Sequence, residues 1–262
     1  MNQSVTLTLE QIANQLSRHG YSVNPTSEIV SLKRARDDIE FLKALSSKWR
    51  GDVVDYLDAS KSQLRQDLFV LSETGFKKNG FFVEFGATNG LTLSNSCLLE
   101  NQFFWDGILA EPARCWHADL RKNRDAIIDT RCVWTVSGQK LMFNETDIAE
   151  LSTIDVLSSN DGHAERRKSG VRYEVETITL MELLEAHNAP SEIDYLSIDT
   201  EGSELEILKS FDFSRYKIRV ITCEHNYSND RDKINELLTL NGYKRKMESV
   251  SLWDDWYVKQ KY

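Results

Sequence analysis

Five ionisable side chains close apolar runs in this chain. They are Glu84 in FFVEFGATNG (81–90), Glu111 in GILAEP (107–112), Asp199 in IDYLSIDTEG (193–202), and Glu224 and His225 in ITCEHN (221–226). A carboxylate at the end of a buried run is costly unless something pairs with it, so these positions call for partners. After Glu84 the chain reads G-A-T-N-G. The dinucleotide pattern GxGxxG and the P-loop ending GK[ST] both fail. What remains is an acid followed by Gly86, Ala87, Thr88, Asn89 and Gly90 at a strand-to-helix turn, where glycines let the backbone approach a ligand closely. A carboxylate on that strand end suits a ligand carrying positive charge.

Glu111 follows 21 residues after Gly90, at the end of the next apolar run, with Pro112 opening the helix beyond. An acid there can accept both hydroxyls of a ribose. Two acids after consecutive strands point to a nucleoside with a cationic tail, a description that S-adenosylmethionine fits. Asp199, Glu201, Glu224 and His225 form a second group. Histidine suits proton transfer near neutral pH, and the three carboxylates suit either the positioning of a hydroxyl or a divalent cation such as magnesium. Caps and surface ion pairs are the ordinary alternative for each of them singly.

These residues need a scaffold that delivers them to one edge. From Gly80 onward apolar strands alternate with helices of about ten residues, which implies βαβ units and a mostly parallel sheet. Such sheets bind ligands outside the carboxyl ends of their strands. LSNSCLLENQF reads as a helix with Thr92 or Ser94 as cap. RCVWTVSG and KLMFNE read as two short strands, and YKRKMES with DDWYVKQ as a closing hairpin. In that hairpin LWDDWYVK reads either as a sugar-binding surface or as strand residues packed on the sheet. DVLSSNDGHAERRKSG reads as a polar loop with a basic cluster at Arg166, Arg167 and Lys168, either solvated or serving as a lid or anion contact. Residues 1–60 are charged and helical, a cap on the main domain or an oligomer contact or linker; residues 61–262 form the second domain.

The 262 residues carry a net charge of −9, which opposes non-specific nucleic-acid binding. No apolar run reaches the roughly 18–20 residues of a membrane span. MNQSVTLTLEQIANQL lacks the basic start and apolar run of a signal peptide, and the four scattered cysteines form no CxxC pair. These features predict a cytoplasmic protein with reduced thiols.

The stretch SQLRQDLFVLSETGFKKNGFFVEFGATNGLTLSNSCLLE, with GILAEP and IDYLSIDTEGSELEILKSF, resembles the FkbM-type S-adenosylmethionine-dependent methyltransferases over roughly residues 61–260. The resemblance implies the Rossmann-like class I methyltransferase fold, an α/β seven-stranded sheet with one antiparallel strand and helices on both faces. It implies methyl transfer to a hydroxyl, most often of a sugar in a surface glycan or glycolipid. A small hydroxylated metabolite of polyketide type, or a non-catalytic cofactor-binding scaffold, are the alternatives. Glu84–Gly90 matches the family's first cofactor motif, Glu111 its ribose-binding acid, and Asp199 and Glu201 its D-x-EG motif. Gln63, Gln66 and Asp67 match an SQ-x-x-QD segment expected against the cofactor, with Ser94, Asn95 and Pro112 as further contacts. The base would be His225 or Asp199, and the ligands of any cation Asp199, Glu201 and Glu224. Thr88 departs from the wider class, which has a glycine there.

Overall fold

The computed structural model describes residues 8–22, 24–159 and 162–260; the first seven residues, and Asn160 and Asp161 of the polar stretch, lie outside them. The chain divides into two compact units, Met1–Lys43 and Ala44–Tyr262. In the first, α1 (Leu9–Ser17) starts at Thr8, whose hydroxyl accepts from the Gln11 N–H while the Gln11 side chain accepts from the Thr8 N–H. The helix α2 (Thr26–Ala44) follows it and ends at the boundary.

The larger unit holds the helices α3 (Arg50–Val54), α4 (Gln66–Thr74), α5 (Cys97–Phe103), α6 (His117–Asn123), α7 (Ala164–Arg167), α8 (Leu180–Ala186), α9 (Glu204–Lys209) and α10 (Arg231–Leu240). Its strands are β1 (Phe81–Phe85), β2 (Asp106–Ala110), β3 (Ile127–Asp129), β4 (Cys132–Val133), β5 (Lys140–Glu145), β6 (Thr153–Ile154), β7 (Val171–Ile178), β8 (Glu192–Ile198), β9 (Lys217–Glu224), β10 (Tyr243–Lys246) and β11 (Asp254–Lys259). Seven of them form the main sheet in the order β10-β11-β9-β8-β1-β2-β3. β3, β2, β1, β8 and β9 run parallel, β11 is antiparallel to β9, and β10 is antiparallel to β11. One strand, β11, therefore runs against the rest, as expected from the sequence.

The near-continuous apolar character of β1, β8 and β9 reflects burial on both faces. Val83, Phe85, Leu196, Ile198 and Tyr257 join α8, α9 and α10 in one core cluster. Neighbouring residues on a strand face opposite ways. Trp256 therefore looks to the other face, where Phe69 of α4 meets it with ring centroids 4.9 Å apart. Helices thus cover both sides of the sheet.

A second sheet, β4-β7-β5-β6, was not expected as a separate unit. The sequence gives its members as short extended pieces; pairing of β5 with β7 over Lys140–Glu145 and Val171–Ile178 makes them one layer. Its small core joins Cys132, Phe143, Ile154 and Val175 with Ala113, which lies just past β2. The layer therefore stands at the carboxyl edge of the main sheet. No helix among the described residues is long and apolar enough to cross a membrane.

Candidate active site

The turn after β1 is built around two contacts that its residue types permit. Gly86 has φ +72°, and a Cβ there would lie 2.2 Å from the Asp199 carbonyl oxygen. Only glycine allows the β1 and β8 ends to approach so closely. Thr88, the residue that departs from the glycine template, holds φ +47° and donates its N–H to Glu111 Oε2 at 2.8 Å. The Ala113 N–H donates to Glu111 Oε1 at 2.7 Å. Both carboxylate oxygens are thus fixed by backbone donors, each keeping a further lone pair. Burial pushes the Glu111 carboxyl up to about 7, against the pull of those two N–H groups. Asn89 folds the tip of the turn, its Oδ1 accepting from the Leu91 and Thr92 N–H groups at 2.9 and 2.8 Å.

A cavity opens beside this turn. Gly86, Thr88, Asn95, Glu111, Pro112 and Asp199 line it, and so does Glu84. Ala87, Asn89, Gly90 and Ser94 stand behind it as the frame of the turn. Its opposite wall was missed from sequence: Cys132 and Val133 of β4, Phe143 of β5 and Ile154 of β6 supply an apolar face, with Glu150 and Ser152 at the rim. The short extended pieces around Gly138 were the available signal, but nothing in them showed where the second sheet would stand.

Glu84 answers differently from its sequence reading. Its carboxylate is already met within the protein: Oε1 accepts from the Asn95 N–H at 2.7 Å, and Oε2 from the Ser94 and Ser96 hydroxyls. The buried guanidinium of Arg124 lies 3.9 Å away and donates to Gly90 O and to the Ser94 and Ser96 hydroxyls. Glu84 therefore holds the 94–96 segment and its own counter-ion, which sequence reasoning overlooked. The N-cap of α5 is Ser96 and not Thr92 or Ser94, although the Ser94 hydroxyl accepts from the Cys97 N–H at 3.1 Å. Asn95 Oδ1 has no hydrogen-bond partner among the described residues.

A second cleft adjoins the first through Asp199 and Glu201. Gln63, Glu150, Glu224, Asn226, Tyr227 and Trp253 line it as well. Strand register explains the convergence. Ile198 pairs with Cys223 and Asp254 pairs with Glu224, so Asp199, Glu224 and Asp254 end three adjacent strands side by side. One carboxylate oxygen from each of Asp199, Glu201 and Glu224 lies within 4.8 Å of the others. Burial raises Asp199 to about 6 and drives Glu224 well above the usual carboxylate range, with the neighbouring acids adding to the rise on Glu224. Glu201, Asn226 and Tyr227 all have positive φ, 57°, 44° and 56°. Such backbone in non-glycine residues concentrates at functional sites.

Three further sequence readings resolve here. His225 lines neither cavity. Its ring is buried, Nδ1 accepts from the Tyr227 N–H at 2.9 Å, and Nε2 lies 3.8 Å from Asp255. Asp255 in turn binds Arg231 and Arg245, so the histidine belongs to a structural cluster. Burial lowers its pKa. Of the SQ-x-x-QD segment, Gln63 reaches the second cleft, Gln66 donates to Asp254 Oδ2 at 3.0 Å, and Asp67 is wholly buried, accepting from Ser60 Oγ and the Leu68 N–H. The carboxyl-terminal hairpin forms one edge of the main sheet, with Trp256 and Tyr257 fully buried and Trp253 left at the cleft. Arg167 of the basic cluster is buried too and pairs with Glu201 at 2.8 Å. All four cysteines are free thiols.

The strand order, the acid-ended strands and the cavity over their carboxyl ends define a Rossmann-like methyltransferase. The family model of the methyltransferase FkbM domain matches residues 85–249, more than half of the chain, and the protein belongs to that family. Among solved structures it is similar to a precorrin-6y C5,15-methyltransferase from Geobacter metallireducens GS-15, at 13% identity and TM-score 0.41, covering 73% of this chain and 85% of that one. A fibrillarin/Nop5p complex is similar at 10% identity and TM-score 0.34, covering 73% and 80%. A search of curated proteins gives no match.

Proposed function

We propose that the protein transfers a methyl group from S-adenosylmethionine to a hydroxyl of a polyhydroxylated acceptor, a sugar of a glycan or glycolipid. The observation that carries this reading is Glu111. Its two oxygens are anchored by backbone N–H groups in a cavity that shares Asp199 with an acid-lined cleft. The lone pairs left on Glu111 suit the two ribose hydroxyls. The β4–β6 wall suits an adenine face, and Asn95 Oδ1 with Asp199 suits the cationic methionine end. The second cleft, with amides at Gln63 and Asn226 and aromatic rings at Tyr227 and Trp253, suits a hydroxyl-rich acceptor.

The leaving group is a sulfonium, so the protein's main work is alignment and exclusion of water. The acceptor oxygen attacks the methyl carbon. A C–O bond forms as the C–S bond breaks, its electron pair goes to sulfur, and S-adenosylhomocysteine leaves. The acceptor's proton passes to Asp199, which lines both cavities as Glu201 does, while Glu201 is held by Arg167. The catalytic domain comprises residues 61–262 in this reading, and the compact unit extends it back to Ala44. Methyl transfer from labelled S-adenosylmethionine to a panel of glycans and small hydroxylated metabolites tests it. Label on sugar hydroxyls supports the reading, and label only on metabolites or on nitrogen overturns the acceptor class.

A further inference from the structure

The main-chain carbonyl of Glu111 lacks the partner that its sheet would ordinarily give it. β2 and β3 pair in parallel with Ala110 opposite Asp129, and the Glu111 N–H continues the ladder to the Asp129 carbonyl at 3.0 Å. In such a ladder the next donor, to the Glu111 carbonyl, is the Arg131 N–H. That N–H is turned aside. It donates to the Asp129 carboxylate at 2.9 Å, which also takes the Arg131 guanidinium and His187 Nε2. Pro112 has no N–H to offer. A side chain supplies the donor instead: His117 Nε2 lies 2.9 Å from the Glu111 carbonyl oxygen. A carbonyl only accepts, so Nε2 carries the proton.

Glu111 is thereby held at four atoms. Thr88 and Ala113 donate their N–H groups to its carboxylate, the Asp129 carbonyl takes its N–H, and His117 meets its carbonyl. Backbone groups supply the first three. His117 is the side chain among the described residues that holds Glu111. It opens α6, the helix just past the turn, and its ring is half-buried. Burial lowers its pKa and Arg121 and Arg114 add to the fall, while the bond to Glu111 and the charge of Glu145 oppose it. The ring is therefore neutral at ordinary pH, a donor at Nε2 and an acceptor at Nδ1. His117 lines neither cavity.

We infer that His117 is a positioning residue for the cofactor: its Nε2–H replaces the missing ladder donor and fixes the Glu111 main chain, so that the carboxylate faces the two ribose hydroxyls. The inference rests on reading Glu111 as the ribose-binding acid.

Two measurements test it. The first needs the wild type alone: nitrogen-15 NMR of the imidazole rings reads the tautomer. The His117 ring should hold its proton on Nε2 at about pH 8, and a proton on Nδ1 overturns the proposal. The second is calorimetry with S-adenosylhomocysteine. His117→Phe keeps a ring and removes the donor, so affinity should fall about tenfold, the scale of one hydrogen bond. His117→Gln returns an N–H to the Nε2 position and should restore affinity to within about threefold. In a Glu111→Ala background, His117→Phe should cost less than about twofold, because the histidine acts only through that carboxylate. An equal loss in both backgrounds marks a merely structural role and overturns the proposal. Where thermal melts show that His117→Phe does not fold, His117→Asn, whose amide stops short of the Nε2 position, takes its place. A wild type that binds no S-adenosylhomocysteine refutes the cofactor reading of the cavity and this role with it. A wild type that binds, with His117→Phe binding as tightly, refutes the role of His117 alone.

Discussion

The Glu111 cavity and the Asp199–Glu224 cleft share an edge and differ in how their acids are kept. Glu111 has a backbone donor on each oxygen, and Glu84 behind it has two hydroxyls, an N–H and a guanidinium nearby. Glu224 leaves an oxygen bare, and Asp199, Glu201 and Glu224 crowd together with one arginine among them. The acids of the first region are met by donors of the protein itself; the second region is left with charge to be met by what binds. A pre-formed site that always takes one cofactor gains from rigidity. A site where a proton must leave gains from carboxylates that can take it.

Breaking the second region should have the largest effect. Asp199→Asn removes a carboxylate that lines both cavities and should lower turnover by about 10²–10⁴-fold, with S-adenosylhomocysteine affinity nearly unchanged by calorimetry. Equal loss in affinity would move Asp199 to the cofactor side. Breaking the first region should show in binding: Glu111→Ala should weaken S-adenosylhomocysteine by roughly a hundredfold, the scale of two hydrogen bonds to a charged group. Gly86→Ala sets a methyl 2.2 Å from the Asp199 carbonyl and should lower the melting temperature along with affinity.

The raised Glu111 pKa gives a smaller and signed effect. The ionised carboxylate accepts both ribose hydroxyls, so affinity should rise as pH passes through about 7, by up to tenfold between pH 6 and 8. Glu111→Gln should flatten that profile, and a profile equally steep in the variant would remove Glu111 as its source. For the ligand-free fold the sign reverses. The unfolded chain releases this proton near the ordinary glutamate value of 4.5 and the folded chain only near 7. This group's contribution to stability is full below the lower value and is lost as pH rises through the higher. The smallest effect is expected at His225. His225→Gln should leave turnover within about twofold and lower the melting temperature, because the ring packs against Asp255 and Tyr227 away from both cavities. A large drop in turnover at unchanged stability would return it to the base role.

The same contrast explains what the sequence allowed. Glu84, Gly86 and Glu111 lie at strand ends within one βαβ unit, where spacing alone fixes proximity, so their convergence could be read directly. Asp199 and Glu224 were readable for the same reason. Gln63, Glu150, Tyr227 and Trp253 come from four separate stretches of chain, and only the folded topology brings them to one cleft. The β4–β6 wall was illegible because short extended pieces carry no sign of which sheet they join. The partners of Glu84 were missed because Arg124 stands 40 residues away on no recognisable motif. His225 misled because a histidine beside a strand-end acid has the right chemistry, while the pleat turned it toward Asp255 and away from the cleft.

The most direct test of the account is calorimetric titration of S-adenosylhomocysteine into the wild-type protein and into Glu111→Ala. The account predicts one site per chain in the wild type and roughly hundredfold weaker binding in the variant. No binding by the wild type, or equal affinity in both, would contradict it.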